Sequence, residues 1–190
     1  MDKMMDLVVS ESTPLGDWTR HMLRESEYVC SSGKGSKNVL TELLLGGFQN
    51  VKHLSLAGCD SLTHLLKIHG HNNIPFPKLQ RLEEFQNFWP TANNSSTHSN
   101  PLFHEKVCCP NLEELAISSA HSISALCSHQ LPTAYFKKLR ELKVHTCKKL
   151  RNLMSPSVAR GLTNLQQLDL YGCLSMEEVI TEEEQEIMFN

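Results

Sequence analysis

A pattern of nine residues recurs four times along this chain, and it limits the possible folds more than any other feature. The pattern reads apolar-x-x-apolar-x-apolar-x-x-Cys, with Ala replacing Cys once, and its copies span residues 51–59, 112–120, 139–147 and 165–173. The last three copies begin at residues 112, 139 and 165, and are therefore 27 and 26 residues apart. Two more apolar residues follow each copy at intervals of three, so the repeated unit extends beyond the pattern.

The alternation within the pattern predicts one short parallel strand in each unit. Side chains of a strand point to its two faces in turn, so the leucines face inward and the residues between them face outward. One unit cannot bury its apolar face alone, and only stacked neighbours complete the core. We therefore predict an α/β leucine-rich-repeat solenoid. Its parallel sheet forms the concave face, and short helices or irregular turns form the convex face.

Changes in composition divide the chain into three parts. Residues 1–47 are an N-terminal flank that includes a degenerate repeat, residues 48–180 are the leucine-rich-repeat domain, and residues 181–190 are an acidic tail. Residues 86–108 are rich in polar and turn-forming residues, which predicts a loop insertion that leaves the solenoid. The unit before this loop has Glu84 in place of its second strand leucine. We expect that unit to be damaged or diverted.

The flank carries weaker signals. Residues 17–24 could form a short helix after a Pro-Leu-Gly break, and residues 28–30 could form a strand. A glycine-rich turn at 33–36 and an apolar helical turn at 39–44 follow. The sequence assigns no role to residues 1–25.

The outward-facing strand positions are the best candidates for a functional surface. Their chemistry differs from unit to unit, and a face with charged, aromatic and small side chains is suited to recognising a protein. The alternative is that these positions are simply solvated. The candidate contact residues are His53, Ser55, Glu114, Ser118, Glu141, Lys143, His145, Gln167, Asp169 and Tyr171.

Charge indicates a second, weaker candidate. The net charge is −3, and residues 177–190 contain six Glu and no Lys or Arg, so the rest carries +3. This modest charge does not indicate a nucleic-acid partner. Basic residues cluster around one repeat and form either a solvated edge or a docking patch. They are Lys137, Lys138, Arg140, Lys143, Lys148, Lys149 and Arg151.

The sequence offers no candidate for catalysis, a cofactor or a metal. Residues 33–36 read Gly-Lys-Gly-Ser. A phosphate-binding loop around this Gly-Lys pair would need Gly at residue 28 and Ser or Thr at residue 35, and those positions hold Tyr28 and Gly35. His64, His69 and His71 lie close together, but beside Gly and Asn they are typical of a surface. No Ser, Cys or Thr has the surroundings of a nucleophile. We predict that the chain is not an enzyme.

Cysteine usage and apolar segments indicate the compartment. The seven cysteines are an odd number, and three of them occupy the repeat position where the chain turns inward, which favours a reducing environment. The sequence holds no stretch of about 18 or more apolar residues, so it predicts no transmembrane helix. The amino-terminal sequence is unlike a secretory signal. We expect a cytoplasmic protein.

Particular segments carry a resemblance to a known family. Residues 155–160 read Ser-Pro-Ser-Val-Ala-Arg, and residues 176–180 read Met-Glu-Glu-Val-Ile before a run of Glu. With the segment at 37–43, they resemble the carboxy-terminal repeats of plant intracellular disease resistance proteins. The class is the one with a coiled coil, a nucleotide-binding domain and leucine-rich repeats. The resemblance covers roughly residues 27–186.

The resemblance implies a sensor in plant innate immunity. Repeats of this family recognise a pathogen effector or a guarded host protein, or restrain a nucleotide-binding switch by docking on the receptor's nucleotide-binding domain. This sequence has no coiled coil and no phosphate loop, so ATP binding and signalling are not carried over. Two alternatives stay open. One is a truncated or remnant repeat module that docks on a related receptor, and the other is a ubiquitin-ligase substrate-recognition repeat, which would need an adaptor-binding helix near its amino terminus.

Overall fold

The computed structural model describes residues 3–46, 49–58, 74–85, 101–103, 107–121, 123–127, 131 and 133–181. Within these residues the strands are β1 (Met4–Val8), β2 (Tyr28–Ser32), β3 (His53–Ala57), β4 (Ile74–Pro75), β5 (Arg81–Phe85), β6 (Pro101–Phe103), β7 (Val107–Cys108), β8 (Glu114–Ser118), β9 (Ala125–Cys127), β10 (Glu141–His145), β11 (Asn152–Met154), β12 (Gln167–Tyr171) and β13 (Glu178–Ile180). The helices are α1 (Asp17–Glu25), α2 (Ser36–Gly46) and α3 (Pro156–Gly161).

Seven strands of five residues each form one parallel sheet, in the order β1-β2-β3-β5-β8-β10-β12. Neighbouring strands pair in register along all five residues. In β3, β8 and β10 the second and fourth residues are buried and the others are half-buried. A slip of one residue would expose the whole buried row, so burial fixes the register. The predicted α/β solenoid with a parallel sheet is confirmed.

The units also contribute short strands to a second parallel sheet, in the order β13-β11-β9-β6. A further pair, β4 with β7, is parallel as well. The sequence analysis predicted only helices or irregular turns opposite the main sheet. Apolar residues such as Leu126 and Leu153, each at most 1% exposed, anchor these short strands to the core.

A left-handed turn residue follows five strands of the main sheet. Gly33, Gly58, Ser119, Thr146 and Gly172 have φ angles of 92°, 84°, 61°, 58° and 66°. The N–H of Ser119 donates to the carbonyl of His145 at 2.8 Å, which extends the pairing of the strands by one step. The chain then turns inward, and Cys147 is fully buried at the last position of the pattern. The small side chain at this position is therefore required by packing.

Hydrogen bonds from side chains connect each unit to the one before it and together form a ladder. The donors stand immediately before the first apolar residue of their units. Asn164 donates from Nδ2 to the carbonyl of Lys137 at 2.7 Å, and Asn50 donates to the carbonyl of Arg24 at 3.0 Å. Asn111, in the unit of β8 between these two, makes the equivalent bond to the carbonyl of Pro77. The ladder satisfies backbone carbonyls where one unit meets the next.

The N-terminal flank extends the solenoid. Strand β1, which the sequence did not predict, pairs with β2, and α1 and α2 form where helical segments were expected. The Glu42 carboxylate joins the two helices through Arg20 Nε at 3.2 Å and Arg24 at 3.3 Å. Leu23 of α1 is fully buried. The degenerate repeat of the flank is thus a complete strand and helix.

One expectation for the middle of the chain is wrong. The unit with Glu84 was expected to be damaged, yet β5 pairs in register with both neighbours, and Glu84 is 1% exposed on the inward row. Within the predicted loop insertion of residues 86–108, Leu102 and Phe103 have apolar side chains and are buried in β6. Residues 86–100, Cys59, and the histidines at 64, 69 and 71 lie outside the described residues, as does the chain after residue 181.

Burial gives the cysteines different reactivities, which alkylation can test. Desolvation raises the pKa of the Cys147 thiol to about 12 and also raises that of Cys127. A raised pKa keeps the thiol protonated, so the reactive thiolate is scarce near pH 8.5. We expect iodoacetamide to label the half-buried Cys173 well before Cys127 and Cys147, as followed by peptide mass spectrometry. In urea the three rates should converge, and equal rates in the folded protein would contradict the assigned core.

Candidate recognition surface

The outward side chains of the seven-stranded sheet form the candidate recognition surface, called the concave face below. Because the strands pair in register, these side chains stand in three rows that cross the sheet. Over β5, β8, β10 and β12 the first row is Arg81, Glu114, Glu141 and Gln167. The second row is Glu83, Ala116, Lys143 and Asp169, and the third is Phe85, Ser118, His145 and Tyr171.

The structure brings eight of the ten candidate residues together on β8, β10 and β12. His53 and Ser55 also face outward, but β5 separates them from the other eight. Sequence reasoning missed Arg81, Glu83 and Phe85, because it treated the β5 unit as damaged. Leu79 and Leu82 were the available signal, since they already assign residues 81 and 83 to the outward side.

Ion pairs form on the concave face both between neighbouring strands and within one strand. The Arg81 guanidinium contacts the Glu114 carboxylate on the neighbouring strand. Lys143 Nζ donates to Glu141 Oε2 at 2.8 Å. This hydrogen bond and the ammonium charge lower the pKa of the Glu141 carboxyl, so it stays ionised. The pairs hold long side chains close to the sheet and shape the surface beside them.

Glu83 has looser contacts than these pairs. Its carboxylate lies 3.6 Å from His53 Nε2 and 3.8 Å from Arg81 Nε. Both separations exceed the usual hydrogen-bond distance of about 2.7–3.2 Å. The side chain is 26% exposed. Glu83 therefore retains capacity to accept hydrogen bonds from a partner.

Aromatic side chains stand on the third row. Phe85 is 41% exposed and Tyr171 is 71% exposed. The rings of His145 and Tyr171 meet edge to face with their centroids 6.3 Å apart. His145 Nε2 is also 3.2 Å from Asp169 Oδ2, although the angle does not satisfy a hydrogen bond. Exposed aromatic residues beside charged ones are typical of protein-binding surfaces.

A cleft of about 180 Å³ opens over β5, β8 and β10. The small side chains Ala116 and Ser118 form its floor, between larger side chains on the flanking strands. Five of the ten candidate residues line it: Glu114, Ser118, Glu141, Lys143 and His145. Arg81, Glu83 and Phe85 form the wall on β5.

The predicted basic cluster does not form one patch. Lys143 belongs to the concave face, and Lys138 donates to Asn111 in the ladder between units. Arg140 and Arg151 lie 3.9 Å from the carboxylates of Glu113 and Glu177. Of the remaining members, Lys148 and Lys149 are exposed next to each other after β10.

The glycine-rich turn before α2 is closed by backbone contacts. The N–H of Gly33 donates to the Ala57 carbonyl at 3.0 Å, and that of Gly35 donates to the Val9 carbonyl at 2.9 Å. A Cβ at Gly35 would lie 2.4 Å from the Ser10 carbonyl oxygen. These N–H groups are used in packing the flank and do not point into open space. In the described part of the chain, no three His, Cys, Asp or Glu side chains are grouped to hold a metal ion.

No helix among the described residues has both the length and the apolar character needed to cross a membrane.

Comparison with known families gives one match. Residues 106–190 match the family model described as plant disease resistance protein RPS2-like, leucine-rich repeats. The matched part contains β8, β10 and β12, with eight of the ten candidate residues. That family consists of repeats of a protein-interaction type and indicates no enzyme. Searches of curated proteins and of solved structures found no match.

Proposed function

We propose that this chain is a recognition module of plant innate immunity that binds a protein partner through its concave face. The family match over residues 106–190 supports the setting. The observation that carries the proposal is the in-register stacking of β5, β8, β10 and β12. It gathers charged, aromatic and small side chains into one surface with a cleft, and such surfaces suit protein partners.

The partner in this proposal is a pathogen effector, a guarded host protein or the nucleotide-binding domain of a receptor of the coiled-coil class. In the last case the module restrains a nucleotide-binding switch. We also propose that the module acts in the cytoplasm. Support for a reducing compartment comes from Cys30, Cys127, Cys147 and Cys173, which are free thiols.

A second candidate is docking on a related receptor through the exposed lysines that follow β10, called the basic edge below, rather than through the concave face. The observation that favours it is the exposed pair Lys148 and Lys149 beside β10. An acidic partner surface would complement this pair. Reversing both charges to Glu should then abolish binding, while the concave face remains unchanged.

Affinity capture from plant extract tests the two candidates with matched variants. One variant changes Glu141, Lys143, His145 and Tyr171 to Ala on the concave face. The control changes four exposed residues outside the seven-stranded sheet to Ala, with the same formal charge balance. They are Lys149, Thr163, Leu174 and Glu177.

We expect the concave variant to lose a specific partner that the wild type and the control retain. Truncation of a hot-spot side chain near the centre of an interface weakens binding by about 2 kcal/mol or more, so removing the hot spots of this face should remove detectable capture. Retention by the concave variant, with loss by the control, would contradict the proposal and favour the basic edge.

A further inference from the structure

We propose that the cleft over β5, β8 and β10 binds an arginine side chain of the protein partner, an inference that rests on the proposed function. The size of the cleft suits one side chain. The cleft of about 180 Å³ is smaller than the roughly 300–1,000 Å³ of pockets that enclose small molecules. It has room for one large side chain inserted above Ala116 and Ser118.

Charge is the second argument. The outward positions of β5, β8, β10 and β12 hold four carboxylates and two permanent cations, which leaves a formal net charge of −2. The carboxylates are Glu83, Glu114, Glu141 and Asp169, and the cations are Arg81 and Lys143. Arg81 and Lys143 are each engaged by a carboxylate. A cationic partner group therefore complements this part of the face.

The position of the least engaged carboxylate is the third argument. Glu83 lines the cleft, and its carboxylate lies 3.6 Å from His53 Nε2 and 3.8 Å from Arg81 Nε. Its oxygens can accept a pair of N–H bonds from an incoming guanidinium without first breaking a short hydrogen bond. Paired N–H bonds of this kind are the usual way in which arginine binds a carboxylate.

Phe85 supplies the geometry that selects arginine over lysine. Phe85 and Glu83 are two residues apart on β5, so both point outward and their Cα atoms are separated by about 7 Å. Phe85 is 41% exposed, and its ring forms a wall of the cleft. A planar guanidinium can pair with Glu83 and lie against this ring, whereas a compact ammonium cannot pair in two places or stack.

NMR titration tests the inference with a defined probe. The probe is N-acetyl-arginine amide, followed in ¹H–¹⁵N spectra of the whole chain, with the acetylated amides of lysine and tyrosine as matched alternatives. We expect amide shifts confined to the residues around Glu83, Phe85 and Ser118. Loss of a charge-assisted pair typically weakens binding about tenfold, so the lysine probe and the Glu83→Gln variant should both bind about that much more weakly.

Glu177→Gln is the matched control, because Glu177 is an exposed carboxylate outside the seven-stranded sheet. It should bind the arginine probe as the wild type does, and every spectrum also reports whether the variant is folded. Shifts scattered over the surface, equal binding of lysine or tyrosine, or unchanged binding by Glu83→Gln would overturn the inference. If the concave variant loses its partner while the arginine probe fails to bind, the inference is wrong and the proposed function stands.

Discussion

Leu142→Ala is expected to lower the free energy of unfolding by about 2–5 kcal/mol. Leu142 is fully buried at the second position of β10, with β8 and β12 on its two sides. The substitution removes apolar contacts and leaves a cavity that neighbouring units can fill only partly. Urea denaturation followed by circular dichroism measures the change.

Leu168→Ala is the matched control for this prediction. The sequence pattern gives Leu168 the same inward position, but β12 is an edge strand in the described structure and Leu168 is 44% exposed. Its truncation leaves no closed cavity, so we expect less than half of the effect at Leu142. Equal losses from the two substitutions would contradict the assigned edge of the core.

Gly161→Ala is expected to destabilise the fold by at least about 3 kcal/mol. A Cβ at this position would lie 1.5 Å from the backbone carbonyl oxygen of Thr133. Gly161 ends α3, which Ser155 caps and Pro156 begins, so the helix is fixed at its other end. Relief of the overlap requires the backbone of one segment to move. The melting temperature and the urea midpoint should both fall.

Gly16→Ala makes the same chemical change at the start of α1, where a Cβ would meet no atom within 4 Å. Its effect should stay within about 1 kcal/mol, the usual size of a change at a helix N-cap. Comparable destabilisation by the two substitutions would show that α3 does not pack closely against the segment at Thr133.

The repeat pattern predicted the main sheet well, because alternation of apolar residues determines both the strand and its register. It failed at β5, where Glu84 suggested a lost strand. Main-chain hydrogen bonds to β3 and β8 retain that strand whatever the side chain is. It also missed β1, whose residues Met4, Asp6 and Val8 show no clear alternation of apolar and polar side chains. Pairing with β2 determines that strand, and a single segment does not reveal its partner.

The candidate surface was predictable in outline but not in its centre. The pattern assigned Glu141, Lys143 and His145 to the outward side, and in β10 they alternate with the buried Leu142 and Val144. The cleft depends instead on which strands are adjacent. Only stacking reveals that Ala116 and Ser118 leave a gap between β5 and β10. Ion pairs such as Lys143 with Glu141 then decide how far each side chain reaches over that gap.

Photo-cross-linking tests recognition by the concave face most directly. A benzophenone amino acid replaces Phe85, which lines the cleft, or Trp18, which is 70% exposed on α1 outside the sheet. Each protein is irradiated in plant extract, and its adducts are identified by mass spectrometry. We predict a specific protein adduct from position 85 that position 18 does not give. An adduct from position 18 alone, or the same adducts from both, would contradict recognition through the concave face.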